Sequence, residues 1–457
     1  MSAELADGTT PMPMPMPRPG AIRRLFPEGS IARDFADRIA LHPSLLETFG
    51  IPLVLFAVAW LAYAWLNHAR PANLNYFVPL ADAFLHGRLG LTDAPTWLNE
   101  LVPGGNGLYY VVYPPMPAIV LLPAVWVVGP GFEQAWASIL LGAANVAIMS
   151  VIIAGMGVAR RTQIVLSLAF AFGTIVWYSA QAGSSWHFAH VVATFFMLLA
   201  IRGCQLDVRT GIIGLLFAGA VLSRLPLVLA TPFFLAYLVD RTMREATNDA
   251  TPFGSIGVET PPVWRTRFDP RRFLELVLQL AVGLGIPLAG YLVYDRLRFG
   301  SPFENGYALI PGLLREDQYK HGFFSTYNIP RKLYALFLGV PVQVPEFPWI
   351  QSRLLGGLSI ILTSPIFLWS IKARRPDWFN LGAWVSTGLI LVPILLHADP
   401  GGAQFGFRYA QDFYPFIFLL AVRGLAGRIG FEAALAIGIG LVVNVWGMAS
   451  AYFNWWA

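Results

Sequence analysis

Apolar residues run along most of this chain in long blocks, cut by short stretches rich in Gly, Pro and Arg. A helix needs about 20 apolar residues to cross a bilayer. By that measure the pattern predicts about eleven spans, at 48–66, 133–156, 163–179, 187–201, 211–223, 226–239, 273–294, 354–371, 379–397, 413–425 and 431–452. One more block, "PPMPAIVLLPAVWVVGP" at 114–130, lies between proline clusters and carries Pro123 inside it. Its apolar length of about 14 suits an interfacial or re-entrant segment better than a crossing. Two long polar segments interrupt the series, at 67–132 and 295–353. The first opens with "NYFVPLADAFLHGRLG" at 75–90. There Phe77, Leu80, Ala81, Phe84 and Leu85 share one helical face, while Asp82 and His86 stand four apart on another. Gly87 marks the helix end. The pattern predicts a short helix lying flat on the membrane surface, apolar face down.

Composition agrees with this all-α, polytopic membrane class. The chain has 457 residues, 56% hydrophobic and 12% charged, about half the charge of a soluble protein. The net charge of +5 reads as arginines flanking spans rather than as a nucleic-acid surface. Cys204 is the single cysteine, which excludes an intrachain disulfide and a cysteine metal cage. The N-terminal residues 1–44 are polar, Pro-rich and then basic and amphipathic, with no apolar core of a cleavable signal.

Charge also orients the series. If 114–130 does not cross, 20 of the 31 Lys and Arg fall on one side together with the N-terminus, which makes that side cytoplasmic. The expected organisation is a cytoplasmic tail at 1–44, a membrane module at 45–240 with its outer loop at 67–132, a cytoplasmic loop at 241–272, and a second module at 273–457 with an outer loop at 295–353. The membrane is the plasma membrane.

The spans are almost free of ionisable groups, which in mid-membrane mark ion or substrate pathways. They gather instead in the outer segments, which favours chemistry or binding at the outer surface. The carboxylates available there are Asp82, Asp93 and Glu100; Asp412 stands four residues after Arg408 and reads as its structural partner. Arg224 lies between two very short apolar helices in the otherwise uncharged stretch 211–239. A guanidinium in such a place is costly unless it meets an anion or lines a wet cavity. Arg408, Arg88 and Lys320 are the further cationic candidates, and His187 and His190 in "SSWHFAHVV" could act as base, ligand or polar contact. Tyr110 and its neighbours Tyr109, Tyr113 and Trp97 could stack on a sugar or sit in an interfacial belt. No phosphate loop, dinucleotide fingerprint or zinc spacing is present.

The order of "NLNYFVPLADAFLHGRL" (73–89), "YYVVYPPMPAIVLLPAVWVVG" (109–129), "FAGAVLSRLPLVLATPFFLAYLV" (217–239) and "QFGFRYAQDFYPFIFLLA" (404–421) resembles the GT-C superfamily of membrane glycosyltransferases, which includes protein mannosyltransferases and aminoarabinose transferases. The resemblance covers the organisation of roughly residues 45–425. It implies transfer of a sugar from a polyprenyl-phosphate donor to a lipid or glycan acceptor at the extracytoplasmic face. No cofactor is assigned, and a divalent metal stays open. In this comparison the family's first-loop Asp falls on Asn73 and the following Glu on Leu74. An asparagine cannot act as a base, so the carboxylate has to be Asp82, Asp93 or Glu100. Two other readings stand beside this one: a transporter of lipid or lipid-linked sugar, and a non-catalytic glycolipid-binding relative.

Overall fold

A computed structural model describes residues 43–65, 74–257, 268–352, 355–402 and 404–453. The tail up to residue 42, Asn73 and residues 258–267 of the predicted cytoplasmic loop lie outside the described residues. The chain divides into two units at Ile51, and everything below concerns Pro52–Ala457.

Among the described residues, 67% are helical. In chain order the elements are α1 (Pro43–Trp65), α2 (Phe77–Leu85), a hairpin of β1 (Leu101–Pro103) and β2 (Tyr109–Val111), α3 (Met116–Val128), α4 (Gln134–Gly155), α5 (Arg160–Phe172), α6 (Val176–Ala182), α7 (Ser185–Gln205) and α8 (Thr210–Val221). A 3-10 turn, Leu225–Ala230, leads into α9 (Thr231–Thr247), which is followed by α10 (Pro270–Phe299). The segment after α10 is built from 3-10 turns, α11 (Ile329–Leu333) and a π turn, Tyr334–Leu338. The series closes with β3 (Val342–Gln343), β4 (Ile350–Gln351), α12 (Ile360–Thr363), α13 (Trp378–Leu396), α14 (Tyr414–Gly424) and α15 (Phe431–Tyr452).

Six of these helices are long and apolar enough to cross a membrane, namely α4, α7, the 3-10 turn with α9, α10, α13 and α15; α5 with α6 makes a seventh if their 49° bend lies within one span. The protein is thus a helical, multi-pass membrane protein in character. The predicted spans at 211–223, 354–371 and 413–425 are shorter or broken in the fold. Thr210–Val221 and Tyr414–Gly424 fall in the class of 10–17 residues. The 354–371 block is divided between α12 and the 3-10 helix Pro365–Lys372. Pro226, Pro365 and Pro415 each stand in the first turn of the helix that follows a break, where the missing amide donor costs no intrahelical bond.

Two surfaces explain how short and long helices coexist. Along α10, Leu274, Leu278, Val282, Ile286, Val293 and Leu297 are exposed, mostly four residues apart, so one face of the helix is apolar and open for its whole length. The opposite face packs so closely on α8 that a Cβ on Gly283 would stand 2.0 Å from the Gly211 carbonyl oxygen, and one on Gly214 2.5 Å from that of Leu280. Small residues let two backbones approach in this way where no hydrophobic drive exists between helices. Gly283→Leu is therefore expected to cost at least the ~1–3 kcal/mol typical of overpacking, read as a lowered unfolding midpoint in detergent.

Helix α2 is formed as predicted and ends as predicted. Gly87 adopts φ +69°, and the Arg88 amide donates to the Ala83 carbonyl at 2.8 Å, the C-terminal closure that a left-handed glycine permits. Its surroundings differ from the expectation. Phe77, Val78, Leu80, Ala81 and Ala83 are buried in a protein core with α3, the hairpin and α7 rather than presented to a bilayer. The apolar stripe fits a neighbouring protein face as well as lipid, and the close partner α3 takes it.

Candidate functional site

The N-terminal ends of α7 and α14 and the break before α9 converge on one buried cluster. Arg224 sits in the break, with extended backbone (φ −146°, ψ 99°) between the end of α8 and Pro226. Its guanidinium grips Asp412 with two hydrogen bonds, Nε to Oδ1 at 3.1 Å and Nη2 to Oδ2 at 3.0 Å. Asp412 ends the 3-10 turn Arg408–Asp412 and its side chain is 0% exposed, against 21% for Arg224. His190 on α7 brings Nδ1 to 2.9 Å from Asp412 Oδ1, off the line of a good hydrogen bond, and its Nε2 has no partner among the described residues. His187, one turn earlier, takes Ser184 Oγ at 2.9 Å on Nδ1 and likewise leaves a buried Nε2 without a partner among the described residues.

The expected Arg408–Asp412 pair does not form. A 3-10 turn has three residues per turn, so positions four apart point to different sides. Asp412 turns to Arg224 and Arg408 turns to Asp399, 3.9 Å away. Arg408 also donates to the Gly402 carbonyl at 3.1 Å and lies 5.1 Å from the centre of the Trp186 ring. Asp399 accepts from the Tyr409 hydroxyl and from the Gly401 amide at 2.9 Å. Burial alone would raise its pKa, but Arg408 and these donors outweigh it and hold the carboxylate below its ordinary range.

Both long polar segments reach the cluster. From the first, Glu100 stands immediately before β1 and accepts a hydrogen bond from Trp186 Nε1 at 3.2 Å. Burial pushes the Glu100 carboxyl up to about 7, and the Trp186 bond and Arg408 only partly oppose it. From the second, Lys332 on α11 is buried, donates to the Asp399 carbonyl and lies 4.8 Å from the Tyr409 ring centre. Desolvation brings its ammonium down to about 7 against the pull of Asp399. In the unfolded chain Lys332 keeps its proton up to about 10.5, so the native state holds fewer protons between 7 and 10.5 and gains stability as pH rises through that window. Lys332→Met is expected to stabilise the protein by roughly 1–3 kcal/mol at pH 6, where the charge is buried, and by less at pH 10; unfolding midpoints at the two pH values check the sign.

The structure brings Glu100, Arg224, Arg408, His187 and His190 together. It does not bring the remaining candidates with them. Asp82 pairs with Arg88 and His86, each at 3.6 Å, on the open side of α2. Asp93 is exposed. Lys320 pairs on the surface with Asp317 at 2.7 Å. Tyr110 is a packing residue of the hairpin, edge-on to Phe299 at 5.7 Å, with its hydroxyl taken by Asn106. Asn73 lies outside the described residues. Three further participants were not singled out from the sequence: Trp186, Lys332 and Asp399. Lys332 carries the one usable signal, as one of three lysines in the chain. Among the described residues, no group of three His, Cys, Asp or Glu side chains could hold a metal ion.

A second charged group occupies the other ends of the same helices. Arg244 pairs with Asp207 and Asp240, both at 2.7 Å, and Arg423 pairs with Asp377. All of these but Asp207 line a pocket with Arg375, Ser255 and Phe379. Arg244 and Arg423 are held there by carboxylates, so the group reads as a structural clasp rather than as the chemical centre.

No protein-family model, curated protein or solved structure matches this chain.

Proposed function

We propose that this protein is a membrane glycosyltransferase of GT-C type that moves a sugar from a polyprenyl-phosphate donor to a lipid or glycan acceptor at the extracytoplasmic face. The single observation that carries the reading is the meeting of Glu100 and Arg408 on opposite features of Trp186, beside the Arg224–Asp412–His190 group. It pairs a carboxylate that titrates near neutrality with cations that have donors to spare. Arg224 Nη1 makes no hydrogen bond among the described residues, and Arg408 spends only its Nη atoms. In the reaction the acceptor oxygen forms a bond to the anomeric carbon as the bond from that carbon to the phosphate oxygen breaks. The acceptor's proton passes to Glu100. The polyprenyl phosphate leaves with its charge held by Arg408 and Arg224. Tyr307, half-buried and edge-on to Tyr113, supplies an aromatic face for the sugar.

The finer topology belongs to the same reading: eleven crossings in the plasma membrane, the N-terminus in the cytoplasm, and the short helix α14 crossing within protein rather than lipid. An ion-coupled transporter usually carries ionisable groups along its spans, whereas the cluster here sits at helix ends. The test is transfer of radiolabelled sugar from polyprenyl-phosphate donors to lipid acceptors by the purified protein in lipid nanodiscs. The rate is expected to rise with pH through about 7, because Glu100 must lose its proton to serve as base. Movement of labelled donor across sealed vesicles without formation of a new glycosidic bond would overturn the reading.

A further inference from the structure

We propose that Trp186 is the positioning residue of the site: its indole N–H holds Glu100 in place for proton transfer while its ring face seats the Arg408 guanidinium. The role rests on the glycosyltransferase reading for its chemistry, but its geometry stands apart from it. Trp186 Nε1 is shared between two acceptors, the Tyr113 hydroxyl at 2.6 Å and Glu100 Oε2 at 3.2 Å. The same side chain lies under Arg408 at 5.1 Å. One rigid ring therefore sets the distance between the carboxylate and the cation, which no backbone element shared by residues 100 and 408 could do.

The surroundings keep this arrangement rigid. The Glu100 amide donates to the Tyr76 hydroxyl at 3.0 Å, and that hydroxyl donates to Asn99 Oδ1 at 3.0 Å. The Tyr76 amide donates to Ser185 Oγ at 2.8 Å, next to Trp186 in the chain. The loop that carries Glu100 is thus tied to the first turn of α7 through both backbone and side chain. Charged groups bearing on Glu100 come from two other segments. Asp399 and Arg408 act from the segment after α13, and Glu316 from the segment after α10, beside the phenols of Tyr307 and Tyr319. Trp186 gives the one neutral hydrogen bond among them that acts on the carboxylate directly.

Sharing of the indole N–H leads to effects of opposite sign. Trp186→Phe keeps a ring but removes the donor, which favours the protonated acid and raises the Glu100 pKa. Tyr113→Phe removes the competing acceptor, frees the N–H for Glu100 and lowers that pKa. The experiment is an infrared titration of carboxyl groups in wild type, Trp186→Phe and Tyr113→Phe, with Glu100→Gln to assign the band, alongside pH profiles of transfer. The band midpoint is expected near 7 in wild type, about one unit higher in Trp186→Phe and lower in Tyr113→Phe. On the acid limb the rate of Trp186→Phe then falls about tenfold, since one unit is tenfold in the ionised fraction, and it recovers toward wild type at high pH. Midpoints that do not move, or that move in the same direction in both variants, overturn the positioning role. Midpoints that move in opposite directions in a protein that transfers no sugar leave the positioning of Glu100 standing and overturn the glycosyltransferase reading instead.

Discussion

Glu100→Gln is expected to slow sugar transfer by about 10²–10⁴-fold, the range that a well-placed general base contributes. Gln keeps the shape of the side chain and an oxygen that accepts from Trp186 Nε1, so the hydrogen bond at 3.2 Å and the fold around it survive. Only the capacity to take a proton is lost. Donor affinity is therefore expected to stay within a few-fold of wild type while kcat collapses, and the rise of rate through about 7 disappears. Asp82→Asn is the control. Its carboxylate is engaged with Arg88 and His86 on the outer side of α2, and its loss is expected to leave transfer within about threefold of wild type. Single-turnover rates with both variants decide the point. A Glu100→Gln protein as fast as wild type would remove Glu100 as the base.

Asp412→Asn is expected to destabilise the protein by about 3–5 kcal/mol, the cost of leaving one partner of a buried ion pair behind. The Arg224 guanidinium is held by both oxygens of a carboxylate with no solvent exposure. Asparagine can accept one of these bonds but supplies no charge, and the pull of Arg224 on a neutral amide does not repay its desolvation. Removing both charges is expected to be milder. The double variant Arg224→Met, Asp412→Leu should recover at least ~2 kcal/mol relative to the sum of the singles, while transfer stays lost because a cation of the site is gone. Denaturant unfolding in detergent of wild type, Arg224→Met, Asp412→Leu and the double variant measures the four corners of the cycle. Strict additivity would mean that the pair contributes little beyond its packing.

Much of the organisation was legible in the order of residues. Helical periodicity located α2, Gly87 announced its end, and the proline-flanked block at 114–130 forms a single short helix, α3. The isolated charge of Arg224 in an apolar stretch and the pair of histidines three apart on one helix marked the region of the cluster, because such groups are too costly to bury without partners. What each of them meets was not legible. Arg224 and Asp412 are 188 positions apart, and Trp186 and Glu100 are 86 apart. Local spacing pointed Asp412 to Arg408, and only a 3-10 turn in place of an α-helix sends it elsewhere. The same holds for the apolar face of α2, which a period of 3.6 residues describes equally well against lipid or against α3. Periodicity and charge cost act within a few residues and so belong to the sequence by itself. Partner choice is a competition among distant groups for the same buried volume, and only the tertiary structure decides it.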